Sequence, residues 1–169
     1  MNAILAAWNA TSAPMALEAM IACCGARRWA AEMVALRPFA DVTHLSEAAD
    51  RVWNSMEESD WLQAFTCHPR IGERKKATAS PQSVAWSEEE QSSAQLAKED
   101  VLAQLASGNA LYEERFCFTY IVCATGKSVD EMLAILKRRL GSHRDAELRE
   151  AAEQQRQIMQ LRLGKWLMG

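Results

Sequence analysis

Chain-turning residues are scarce: seven glycines and four prolines in 169 residues. Few positions can therefore turn sharply, and long helices are expected. Strand formers rarely alternate with polar residues, which argues against a sheet. The five cysteines, at 23, 24, 67, 117 and 123, form no CxxC pair. An odd, irregular set argues against a disulfide framework and for reduced thiols, mostly packed as small hydrophobes in a cytosolic protein. No uninterrupted apolar run approaches the roughly 20 residues of a membrane span. Met1 to Trp8 lacks a basic n-region and is short for a secretion signal. The C-terminal Leu167-Met168-Gly169 is not a peroxisomal address. The net charge of -3 gives no reason to expect nucleic acid as a partner, and without a long apolar run no membrane is expected either.

What is present is apolar and helix-forming. Apolar residues make up 49% of the chain, enough for one domain over 1–169 with a substantial core. Asn2 to Asn9 reads as a first helical turn or a partner-facing tail. Ser12 and Pro14 open a helix that Gly25 stops, with Met15, Leu17, Met20 and Ile21 as its buried side. A second helix spans about Arg27 to Leu36, with Trp29, Met33 and Leu36 in register. A third starts near Thr43 or Ser46 and carries Leu45, Ala49, Val52, Trp53 and Met56. Ser59-Asp60 caps a fourth, Trp61 to Thr66.

Periodicity disappears from Arg70 to Trp86, a loop long enough to suggest a functional role. Ser87 with Glu90 forms a capping box that opens a helix to Ala106, stopped by Gly108. Asn109 to Phe116 reads as helical again. Phe118 to Ala124 is the one β-rich run, read as a buried extended segment or a packed helix turn. Ser128 with Glu131 is a second capping box and opens a helix to Leu140. The last helix, about Asp145 to Leu167, carries Leu148, Ala151, Ile158, Leu161, Leu163 and Trp166. The fold class is all-α, about seven or eight helices in a single orthogonal bundle.

Cys67-His68-Pro69-Arg70-Ile71-Gly72-Glu73 concentrates the chemistry. Histidine exchanges a proton near neutral pH, its ordinary pKa being roughly 6.5. Pro69 pushes His68 out of helical geometry, to a stiff helix end. The plain alternative is a hydrogen-bonded histidine at a C-cap. Adjacent Cys67-His68 and Cys23-Cys24 do not have zinc-ligand spacing, and no metal is expected. Cys123 lies in an apolar run, where burial makes a thiol inert. Arg70, Arg74, Lys75 and Lys76 can meet an anion or simply face solvent, with Arg70 nearest to His68. The N–H groups behind Ser87 and Glu90 can hold a carboxylate or ureido carbonyl, or serve only as a cap. Arg162, between Leu161 and Leu163, turns partly inward and calls for a carboxylate partner, from the protein or from a ligand.

His68-Pro69-Arg70-Ile71-Gly72, Ser87-Glu88-Glu89-Glu90-Gln91, Phe118 to Ala124 and Leu161-Arg162-Leu163 follow one another in a pattern. It resembles the decarboxylases of 2-oxo-4-hydroxy-4-carboxy-5-ureidoimidazoline (OHCU), which close the route from urate to (S)-allantoin. The resemblance runs from about Met15 to Trp166. It implies an all-helical, cofactor-free, cytosolic bacterial homodimer acting on a small ureidoimidazoline. By the same resemblance His68 matches the catalytic histidine and Glu90 the glutamate beside it. Pro69, Ser87, Gln91, Tyr120, Ile121, Val122, Cys123 and Ala124 match substrate contacts, and Arg162 matches the arginine that holds substrate. The family often has Phe-Pro-Phe where this chain has Phe118-Thr119-Tyr120, so a backbone constraint is missing here. The competing classes are a non-catalytic helical protein-binding module and a thiol hydrolase using Cys67.

Overall fold

The computed structural model describes residues 2–71, 81–82, 86 and 99–169; among them it has eight helices and no strand. None of these helices is long and apolar enough to cross a membrane. The chain divides into two compact units, Met1–Ala64 with Arg156–Gly169, and Phe65–Gln155.

In the first unit, α1 (Ala3–Ala10) starts at Asn2, whose side-chain oxygen accepts the Ile4 and Leu5 N–H groups. The N-terminal stretch is therefore a helix and not a tail: Leu5 and Trp8 are buried, and Trp8 Nε1 donates to the Ala16 carbonyl at 3.0 Å. α2 (Ala13–Cys24) opens at Ser12 with Pro14 in its first turn and ends at Gly25, whose φ of 86° suits a residue without Cβ. Its buried stripe is Ala16, Met20, Cys23 and Cys24. Met15, expected inside, is 63% exposed, because it projects from the opposite side of that stripe.

α3 (Arg27–Ala35) buries Trp29 and Met33. Leu36, expected with them, lies beyond the last helical residue and is half-exposed. α4 (Val42–Asn54) begins earlier than Thr43 or Ser46 suggested, because the Asp41 carboxylate accepts the His44 N–H at 2.8 Å. α5 (Glu58–Thr66) also begins early: Asp60 is its third residue and accepts the Glu57 N–H at 3.1 Å. The C-terminal turns of α8 (Arg144–Trp166) complete this unit. There Arg156 Nη1 meets both Asp50 carboxylate oxygens at 3.0 Å, and Gln160 Nε2 donates to the Ser46 carbonyl at 2.9 Å. Arg162 is fully buried, whereas Leu161 beside it is partly exposed.

In the second unit, α6 (Glu99–Phe116) runs straight through Gly108, which was expected to stop it. The reason for glycine there is tertiary. A Cβ at Gly108 would lie 2.6 Å from Leu136 Cδ2, on α7 (Val129–Arg139). The missing side chain lets the two helices approach closely. α7 opens with the expected capping box, Ser128 and Glu131 bonding reciprocally. Between α6 and α7 the chain from Phe118 to Ala124 is buried and non-helical.

Candidate active site

α5 ends at Thr66, and His68 follows on a turn in which its N–H donates to the Phe65 carbonyl at 3.2 Å. Pro69 then blocks any return to helix. The His68 ring is buried, and its Nε2 lies 2.5 Å from the side-chain oxygen of Gln155 on α8. A carboxamide oxygen only accepts, so Nε2 carries the proton, and in the neutral ring the lone pair sits on Nδ1. Cys67 is half-buried. Arg70 forms a two-pronged pair with Glu113 of α6, at 2.8 and 2.6 Å. That guanidinium is engaged by the protein itself.

The Phe118–Ala124 segment is held from outside. Arg139, at the end of α7, donates from Nη1 to the Ile121 carbonyl at 2.6 Å. It also donates from Nε to Glu147 Oε1 at 2.6 Å, and the Tyr112 hydroxyl donates to the same oxygen. Arg139 and Glu147 are both buried, and Arg139 stacks over the Tyr120 ring at 4.9 Å. Burial and the hydrogen bond to Glu147 push the Tyr112 phenol up despite the opposing charge of Arg139; burial likewise raises Tyr120. For Arg139 burial is the largest influence and works the other way, but the Glu147 hydrogen bond and the charges of Tyr112, Glu147 and Tyr120 together outweigh it, and the guanidinium is held above its ordinary value.

Further struts follow. The Tyr120 hydroxyl donates to the Met132 carbonyl at 3.1 Å, and Gln154 Oε1 accepts the Cys123 N–H at 2.9 Å. Lys127 Nζ donates to the Cys123 carbonyl at 2.7 Å. Among the described residues, neither the Val122 peptide groups nor the Ala124 N–H finds a protein partner. Buried peptide groups of that kind call for an external polar edge.

The structure thus brings His68, Pro69 and the stretch Tyr120 to Ala124 into one unit, joined through consecutive residues of one helix: Gln155 holds the imidazole and Gln154 the Cys123 peptide. Arg162 belongs to the other unit; on α8 it follows Gln155 by two turns, on the same helix stripe. Ser87, Glu90 and Gln91 lie outside the described residues, as does most of the loop from Arg74 to Trp86. Of the cysteines, Cys23, Cys24 and Cys123 are buried, and burial pushes the Cys23 thiol well up. Cys117 is exposed. Among the described residues, no three His, Cys, Asp or Glu side chains gather as a metal site.

Sequence reasoning missed Gln154, Gln155, Arg139, Glu147 and Tyr112. One signal was available. Leu148, Ala152, Gln155, Met159 and Arg162 make an unbroken buried stripe on α8, and a glutamine in such a stripe needs a partner.

Residues 9–164 match the sequence profile of the OHCU decarboxylase family. A uric acid degradation bifunctional protein of Arabidopsis thaliana is 35% identical over 144 residues, covering 85% of this chain but only 44% of that protein. The 2-oxo-4-hydroxy-4-carboxy-5-ureidoimidazoline decarboxylase of Haloferax volcanii is 30% identical over 143 residues, 81% of this chain and 80% of the relative. An OHCU decarboxylase crystallised in the presence of (S)-allantoin superposes with a TM-score of 0.76 at 32% identity, over 88% of this chain and 96% of that one. The chain belongs to the OHCU decarboxylase family.

Proposed function

We propose that this chain decarboxylates OHCU to (S)-allantoin and CO2, the last step of urate-to-allantoin conversion. The observation that carries the reading is the joint anchoring of a buried histidine and a partly unsatisfied peptide segment by neighbouring glutamines of α8. The substrate's carboxylate sits on a carbon next to a ring C=N. That imine is an electron sink, so the electrons of the breaking C–C bond flow into the ring nitrogen without pyridoxal, thiamine or metal. CO2 leaves and the ring nitrogen that received the electrons takes a proton; the hydroxyl on the same carbon gives up its proton and becomes a carbonyl, and the neighbouring carbon takes a proton on one face. One proton is taken up overall.

The protein has to hold the carboxylate out of the ring plane and to move those protons. His68 is proposed as the proton-transfer group, with Glu90 orienting it or polarising the hydroxyl. Arg162 is proposed to hold an anionic or carbonyl group of the substrate. Pro69, Ser87, Gln91 and the stretch Tyr120 to Ala124 are proposed substrate contacts, with the Val122 and Ala124 peptides reading the ureido and ring edges. A homodimer is proposed on the family resemblance. A cytoplasmic location is proposed on cysteines that form no disulfide.

The test mixes purified chain with freshly generated urate-oxidation product and follows the circular dichroism of (S)-allantoin. His68→Ala is expected to lose about 10²-fold or more in kcat. Near-normal turnover and stereochemistry in that variant would remove His68 from the chemistry. No acceleration by the unmodified chain would leave the helical binding module as the better reading.

A further inference from the structure

The Phe118–Ala124 strap is clamped peptide by peptide. In the Ile121–Val122 peptide, Arg139 Nη1 donates to the carbonyl at 2.6 Å. In the Cys123–Ala124 peptide, Lys127 Nζ donates to the carbonyl at 2.7 Å. The peptide between them, Val122–Cys123, is held at its other end, where the N–H donates to Gln154 Oε1 at 2.9 Å. All three peptide bonds are trans, and a planar trans peptide points its C=O and its N–H in opposite directions. Each clamp therefore fixes the direction of the group opposite it. Arg139 aims the Val122 N–H, Gln154 the Val122 carbonyl, and Lys127 the Ala124 N–H. Those three groups are the ones that find no partner among the described residues. Along the chain they run donor, acceptor, donor.

The clamps differ in kind. Both donors have a cation on the far side of their peptide, whereas the acceptor has a neutral carboxamide. A hydrogen bond to a carbonyl draws electrons toward its oxygen and makes the N–H of the same peptide a stronger donor, the more so when the outside partner is charged. Ile121 to Ala124 are buried, where such polarisation is poorly screened. Arg139 is itself pinned by Glu147 and by the Tyr112 hydroxyl, so its grip on the Ile121 carbonyl is set by the core.

We propose that Arg139 and Lys127 are positioning residues: they preset the Val122 and Ala124 N–H groups as a strengthened donor pair on either side of the Val122 carbonyl. That edge is complementary to a ureido N–H flanked by carbonyl or carboxylate oxygens. The inference rests on the reading that this segment takes OHCU.

The experiment compares the full chain with Lys127→Met and with Arg139→Met/Glu147→Leu, a double change that leaves neither partner of the buried pair alone. KM and kcat are measured by the dichroism of (S)-allantoin, and the backbone 15N shifts of Val122 and Ala124 are recorded without substrate. Lys127→Met is expected to raise KM about three- to tenfold while kcat changes less than about twofold, because the donors bind ground state and transition state alike. Partial unfolding would lower the apparent kcat and leave KM in place, so the split separates positioning from damage to the fold. The Ala124 15N resonance is expected to move upfield in Lys127→Met, with Val122 unmoved. The double variant is expected to move Val122 upfield. An unchanged KM in Lys127→Met would overturn the proposal. So would a raised KM with an unmoved Ala124 resonance, since Lys127 would then act only as a distant charge, or an unmoved Val122 resonance in the folded double variant. Should the double variant not fold, Lys127→Met decides alone. An unmodified chain that does not turn over OHCU would refute the proposed reaction; the amide shifts, which need no substrate, would still judge the donor pair.

Discussion

Removing the Arg139 side chain alone should be among the most damaging changes in the second unit. Arg139 and Glu147 are a buried ion pair with almost no solvent access. Arg139→Met would strand the Glu147 carboxylate, with only the Tyr112 hydroxyl left beside it, and would leave the Ile121 carbonyl without its donor. Breaking a buried pair from one side costs about 3–5 kcal/mol. With a urea m-value of roughly 2 kcal/mol/M, the unfolding midpoint should fall by about 1.5–2.5 M. Glu147→Leu should cost a similar amount, since it strands the guanidinium.

The double variant Arg139→Met/Glu147→Leu strands no charge. It loses partners only for the Ile121 carbonyl and the Tyr112 hydroxyl, each about 1–2 kcal/mol. The double variant should therefore lie several kcal/mol above the sum of the singles. Urea unfolding of the four proteins, followed by tryptophan fluorescence, closes the cycle. Additivity within about 0.5 kcal/mol, or an Arg139→Met cost below about 1 kcal/mol, would refute the assignment of this pair as the anchor of the segment.

Two more expectations concern stability. Tyr112, Tyr120 and Cys23 all have raised folded-state values. Acids raised in this sense give stability that is complete below their unfolded values, about 10 for tyrosine and 8.5 for cysteine, and that is lost as pH climbs toward the folded ones. The urea midpoint should thus decline from about pH 9 upward, more shallowly in Tyr112→Phe, and a midpoint flat to pH 11 would contradict this. Gly108→Ala gains about 1 kcal/mol of helix propensity but drives a methyl into fully buried Leu136, and should lose a net ~1 kcal/mol or more. Leu136→Val should recover part of that loss, and a stabilised Gly108→Ala would show that α6 and α7 are less tightly packed than described.

Local chemistry was legible wherever a residue acts on its own turn. Gly25 and the Ser128–Glu131 box mark helix ends through bonds to nearby backbone, Ser12 stands at its N-cap without a side-chain bond and with Pro14 in the first turn, and these ends lie where the pattern puts them. Asp41 was overlooked because Thr43 and Ser46 are equally good caps in a bare sequence, and only the fold chooses among them. Gly108 was misread for a related reason: a glycine that stops a helix and a glycine that admits a neighbouring helix look alike until the neighbour is known. At the site, Pro69 made the His68 turn readable, while the partners of His68 were not. Glu147, Gln154 and Gln155 sit among charged residues in a helix of mixed polarity, where a polar side chain is assumed to face water. Only the spacing from Leu148 to Arg162 betrays which of them turn inward.

The path of the Phe118–Ala124 strap is imposed by struts from α6, α7 and α8, not by its own residues. Such a strap can change its amino acids without changing its course. Thr119 offers no proline ring to stiffen the backbone and is tolerable on that account, and Tyr120 contributes a hydroxyl clasp to Met132 that a phenylalanine would lack. Stiffness that the backbone does not supply comes from the side, so a change in this stretch should be read by what braces it and not by which letters it spells.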